Sequence, residues 1–195
     1  SGQDITLDQA ASTFGTLALT GVNVAVTDAG ATDLGASTVS GTLGITSAGA
    51  VTDSGTLAIT GATTISASGQ DITLDQAAST FGTLALTGAN VAVTDAGALD
   101  LGATTVSGTL GITSAGAVTD SGTLAITGAT TISASGQDIT LDQAASTFGT
   151  LALTGANIAV TDAGATDLGA STVSGTLGIT SGGAVTSSGK LDITG

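Results

Sequence analysis

The chain has 195 residues, with 15 acidic residues (all Asp) against a single Lys, a net charge of −14, and no His, Cys, Pro, Met, Trp or Tyr. No imidazole or thiolate is available for catalysis or for zinc, copper or haem ligation, and one cation cannot make a nucleic-acid footprint or hold an anionic membrane surface. Hydrophobic residues make up 41% of the chain, too many for a disordered segment, yet no apolar run is long enough to span a membrane as a helix.

The first feature met in chain order is a repeat. The string SGQDITLDQAASTFGTLALTG begins at Ser1 and returns at Ser68 and Ser135, which defines a 67-residue period. The repeats are 1–67, 68–134 and 135–195 of one continuous segment. The first two differ only at Val22/Ala89, Thr32/Leu99 and Ser37/Thr104. The third drifts near its end, at Gly182, Ser187, Lys190 and Asp192. Ser1 opens in the middle of a repeating pattern without a signal peptide, so the chain reads as a piece of something longer.

Within each repeat, Gly marks the start of short alternating segments. A partial coil over 2–20 is followed by coils starting at Gly21, Gly41, Gly61, Gly88, Gly108, Gly128, Gly155 and Gly175. Segments such as Thr56-Leu57-Ala58-Ile59-Thr60 have period 2 and β-branched residues, the pattern of a short strand. Gly, Ser and Asp at the boundaries suit turns. No stretch has an apolar 3.6 period with caps, so no helix is expected. The coil lengths read as 20, 27 and 20, with Asp75–Phe81 as a seven-residue insertion that recurs at Asp8–Phe14 and Asp142–Phe148. Three strands per coil, stacked coil on coil, predict an all-β fold: a single parallel β-helix, or β-solenoid. Its expected inward columns are Leu43/Ile45 with Thr63/Ile65 and Val91/Val93; Val51 with Ile72/Leu74 and Leu99/Leu101; and Leu57/Ile59 with Leu84/Leu86 and Thr104/Val106. Nine such coils make a rod on the order of 40 Å long.

The repeated G-T-L-x-I/L-T and S-A-G-x-V steps, in coils of about 20 residues, resemble the filamentous-haemagglutinin-like right-handed β-helix of large bacterial exoproteins and adhesins. The resemblance covers the whole chain. It implies an extracellular or cell-surface location, export by two-partner secretion or autotransport, and a repeat region that serves as a stalk. It brings no catalytic residues with it.

Asp is the one residue type that offers site chemistry. Asp28 and Asp33 flank a Gly turn, and the pair recurs as Asp95/Asp100 and Asp162/Asp167. Carboxylates near turns are candidate calcium ligands; the competing reading is that they cap turns and keep the rod soluble. The nonapeptide calcium repeat is not matched. A glycosidase or lyase needs two carboxylates in differing environments, or a cation. Here Asp positions recur in like sequence surroundings and the only cation is Lys190, so no enzyme is expected. Phe14, Phe81 and Phe148 are the candidate lateral-contact residues: either a ridge with a spacing of about 14 Å, or rings folded back over a coil corner. Outward Thr ladders raise an ice- or carbohydrate-binding module as the alternative function. The expected function is a structural repeat of a secreted or surface-anchored fibre, a rigid shaft for cell adhesion, matrix or cell-cell contact. Its partners are further copies of the repeat stacked end to end, without nucleic acid or membrane insertion. Regions outside this segment would touch a host cell, a neighbouring cell or a polysaccharide.

Overall fold

The structure is a computed structural model that describes residues 2–195; Ser1, the first residue of the first repeat, lies outside the described residues. The alternation seen in the sequence becomes a strict alternation of burial. In Val24–Asp28, Val24, Val26 and Asp28 are buried while Ala25 and Thr27 point outward, as a pleated strand requires. Leu43–Ser47, Val91–Asp95 and Leu110–Ser114 repeat that pattern. Every pairing between the strands is parallel and joins segments about one turn apart. The pairings build two 12-stranded sheets and a third of three strands, with ten strands along the main path of each large sheet. The chain is therefore a parallel β-solenoid of about ten turns, without helix among the described residues. Ten strands spaced as in any sheet span about 43 Å.

The pairing partners show how the repeat maps onto the turns. One large sheet runs through Ile5–Leu7, Val24–Asp28, Leu43–Ser47, Thr63–Ser66, Thr83–Gly88, Leu99–Leu101, Val118–Asp120 and Ile139–Leu141. Those seven steps lead from Ile5 to Ile139, its equivalent two repeats later. One 67-residue repeat therefore advances three and a half turns. Residues that meet across one turn, such as Asp4 and Asn23, are 19 positions apart in the chain. Equivalent strands of successive repeats accordingly change sides. Val24–Asp28 and Ile158–Asp162 lie in one large sheet, and Val91–Asp95 lies in the other.

The half-turn has a simple origin. Half of a turn is either one long strand or two short strands joined at a corner. Leu43–Ser47 is a long side, and Val51–Asp53 with Leu57–Ile59 is the paired short side that completes its turn. Each repeat holds three such turns plus one extra long side, Val24–Asp28 or its equivalents. That odd side transfers the long strands to the opposite face. Thr83–Gly88 shows the exchange directly: it stacks on the single strand Thr63–Ser66 below and on two strands, Leu99–Leu101 and Thr104–Val106, above.

This corrects the coil assignment made from the Gly spacing. The long coil of that assignment is not present. Leu74 sits over the turn that contains Asp53, and Thr80 pairs with Ala58. Asp75–Phe81 is thus the third side of an ordinary turn, one residue longer than the side below it. The column above Thr63/Ile65 is Leu84/Leu86, not Val91/Val93, and Val91/Val93 stack on Ile72/Leu74. The interior is a narrow column of Leu, Ile and Val; Leu34, Leu57, Ile65, Ile72, Leu74, Leu84 and Leu101 are fully enclosed. At the last turn Val185 and Ile193 are exposed and Leu177, Ile179 and Leu191 are half-buried.

Candidate functional site

The polar side chains of the corners complete the backbone hydrogen bonding where the ladder is interrupted. Above Thr83–Gly88 the chain turns a corner at Gly102, so the central amide of the long strand has no carbonyl opposite it. The Thr104 hydroxyl accepts the Leu86 N–H at 3.2 Å. Ser37 and Ser171 do the same for Leu19 and Leu153, at 2.9 and 3.0 Å. Buried Ser79 and Ser146 accept from Leu57 and Leu124 at 2.9 and 3.0 Å. Buried donors left without such partners would be costly.

The Asp pairs read as calcium candidates separate in space. Asp28 points inward and is buried; its Oδ1 accepts the Gly30 N–H at 2.8 Å and its Oδ2 the Thr32 hydroxyl at 3.1 Å. Asp162 is held likewise by Gly164 and Thr166. In the middle repeat Leu99 replaces that Thr, and Asp95 keeps only the Gly97 and Phe81 amides. Burial there pushes the Asp95 carboxyl above the ordinary Asp range.

Asp33, Asp100 and Asp167 point outward from the adjoining strand. Asp33 accepts hydroxyls from Thr16 and Ser54, both at 2.7 Å, on the turns below and above. The hydroxyl of Thr16, followed by that of Ser54, holds the Asp33 carboxyl below its ordinary value. Ser188 is the first cause of the same shift at Asp167. Asp100 is clamped by Thr83 and Ser121. The two carboxylates of each pair thus face different surroundings, and among the described residues no group of three or more Asp is placed to hold a metal ion.

A second Asp set forms polar ladders on the corners. Asp71 Oδ1 accepts both the backbone and side-chain N–H groups of Asn90, whose own Oδ1 accepts the Thr109 N–H and hydroxyl. Asp4–Asn23–Thr42 and Asp138–Asn157–Thr176 repeat it. Asp8, Asp75 and Asp142 stay exposed. Lys190 forms an exposed ion pair with Asp192 at 2.7 Å, a contact of the kind that adds little stability.

Phe81 and Phe148 are 5% and 7% exposed, and half-buried Phe14 packs against the same core. Because each repeat advances three and a half turns, successive Phe residues alternate between sides. Phe14 and Phe148 share a side but lie seven turns, about 34 Å, apart. The fold does not present a single ridge of closely and evenly spaced rings. Phe81→Ala is expected to lower the unfolding free energy by about 3 kcal/mol, read by denaturant titration. Unchanged stability combined with lost self-association would instead indicate a contact role.

Two carboxylates missed in the sequence are Asp53 and Asp120. The segments Thr32-Asp33-Leu34, Val51-Thr52-Asp53 and Ile72-Thr73-Leu74 stack on one another. Their in-out-in alternation places Asp53 where its neighbours have Leu, a signal visible in the sequence once the three segments are aligned. Among the described residues no pocket indents the surface.

Comparison with known proteins agrees with the repeat. No curated protein and no solved structure matches the chain. One family model matches three times in succession, over residues 21–87, 88–154 and 155–195, and the first two matches each span one 67-residue period. The chain belongs to the family described as "Repeats of unknown function (DUF5649)".

Proposed function

We propose that this segment is a rigid shaft of a large secreted or surface-anchored bacterial fibre, of the filamentous-haemagglutinin-like adhesin type, that holds a binding region away from the cell. The observation that carries this reading is the direction of the hydrogen bonds. Two continuous parallel sheets tie each turn to the next along the rod axis, so extension along the axis opposes many backbone bonds at once. Solenoids of this kind grow by adding neighbours, each of which contacts only the next. Further copies of the repeat, each continuing the same parallel pairing, would extend the rod end to end. A charge of −14 keeps parallel rods apart.

Imaging tandem arrays of increasing repeat number by negative-stain electron microscopy tests the proposal. Unbranched rods are expected, lengthening by about 17 Å per repeat, the rise of three and a half strand spacings. Compact particles whose length does not follow repeat number would refute it.

A further inference from the structure

We propose that Asp53 and Asp120 are proton-binding positions inside the solenoid, and that they make it more stable in mild acid than at neutral pH. Each is the inward residue of a short strand. Leu34 lies beneath Asp53, and Leu74, next in register after the Thr52–Thr73 pair, lies above it. Leu101 and Leu141 flank Asp120 in the same manner. All four leucines are fully buried, and the two Asp residues are 7% and 6% exposed.

Only half of each carboxyl is provided for. Asp53 Oδ1 accepts the Asp75 N–H at 2.8 Å, as Asp120 Oδ1 accepts the Asp142 N–H. The Oδ2 atoms of both are buried without a hydrogen-bond partner. A buried charge that lacks partners is far more costly than a neutral hydroxyl in the same place, so the proton resides preferentially on that oxygen. The surrounding charges act in the same direction. Asp75, on the turn above and bonded to Asp53 through its backbone N–H, carries a carboxylate that repels the ionised form. Asp71 immediately precedes the strand above and is exposed, bonded to Asn90. Asp33, on the strand beneath, points outward to Ser54. The only cation, Lys190, is engaged by Asp192 in the last turn. Burial, the largest cause, raises both carboxyls above the ordinary Asp value.

The direction of the effect follows from linkage. The folded state binds the proton more tightly than the unfolded state. The contribution of Asp53 and Asp120 to stability is therefore fully present below the unfolded Asp value, about 3.9. It falls as pH rises through the window between that value and the raised folded one. At the equivalent position the third repeat has Ser187, which cannot ionise.

The experiment is thermal melting of the whole chain between about pH 7 and pH 4, alongside the Asp53→Asn/Asp120→Asn double variant, with infrared detection of protonated carboxylic acid. The unsubstituted chain should gain a few degrees on acidification. The double variant should lose most of that gain, match or exceed the parent at neutral pH, and lose most of the carboxylic-acid band, with buried Asp95 accounting for what remains. An undiminished gain in the double variant would overturn the proposal, because general relief of repulsion among the surface Asp residues would then be the cause. If the Asn variants fail to fold, Asp53→Ser/Asp120→Ser takes their place, with the same outcomes decisive. The infrared band of the unsubstituted protein decides independently of any variant, and its absence in mild acid also overturns the proposal.

Discussion

Gly55→Ala is expected to destabilise the solenoid by about 3 kcal/mol, although the substitution adds a single methyl group. Gly55 lies at the corner between the two short strands Val51–Asp53 and Leu57–Ile59. There the chain runs directly over Gly35 and Ala36 of the turn beneath, and an added Cβ would sit on the Ala36 backbone. A side chain can rotate away from a neighbour, whereas a stacked backbone cannot move without breaking the ladder on both sides. Gly122 lies on Ala103 and Gly189 on Ala170 in the same way. Gly69 provides the contrast. It has a φ of 74°, but the space around its missing Cβ is open. Gly69→Ala meets only the cost of a left-handed backbone, about 1 kcal/mol. Denaturant titration of the two variants should rank them in that order. Equal effects would mean that close stacking at the corner is not what requires Gly55.

The second large effect is at Ile65. Its side chain is fully enclosed, with Ile45 beneath and Leu86 above. Ile65→Ala removes three carbons from a column that cannot collapse sideways, because strand spacing is set by hydrogen bonds. A loss of about 3–4 kcal/mol is expected. Thr64→Ala, one residue away on the outer face, should change stability by less than about 0.5 kcal/mol. In a quasi-one-dimensional stack the damage should also be local. Amide exchange is expected to accelerate over Leu43–Ser47, Thr63–Ser66 and Thr83–Gly88, while Ile158–Asp162, several turns away, keeps its protection. Uniform loss of protection along the whole rod would mean that the solenoid unfolds as a single unit.

These substitutions mark where sequence reasoning is sufficient. Period-2 alternation identifies Ile65 as inward and Thr64 as outward, and the Gly boundaries locate the corners. The same alternation, in Val51-Thr52-Asp53, already turns Asp53 toward the core, although its unpartnered oxygen emerges only with the turns above and below in place. The pairing of Asp28 with Asp33 rests on nearness along the chain. Alternation separates them: Asp28 is inward at the end of one strand, and Asp33 is outward in the middle of the next.

The sequence by itself determined most of the strands, their inward apolar residues, the 67-residue period and the parallel solenoid, because each follows from local backbone geometry and from identity between copies. Only the tertiary structure decided which strands lie against which. Val24–Asp28, Leu43–Ser47, Thr63–Ser66 and Thr83–Gly88 all bury alternate residues, so the in-out pattern alone lets any of them stack on any other. The choice is made by path length around the rod. A half-turn must be covered either by one long strand or by two short ones with a corner, and each repeat holds seven of these halves. Seven is odd, so the repeat closes on the opposite face. That places the Phe residues alternately on two sides, makes Asp75–Phe81 an ordinary side of a turn, and sets the rise per repeat at three and a half strand spacings.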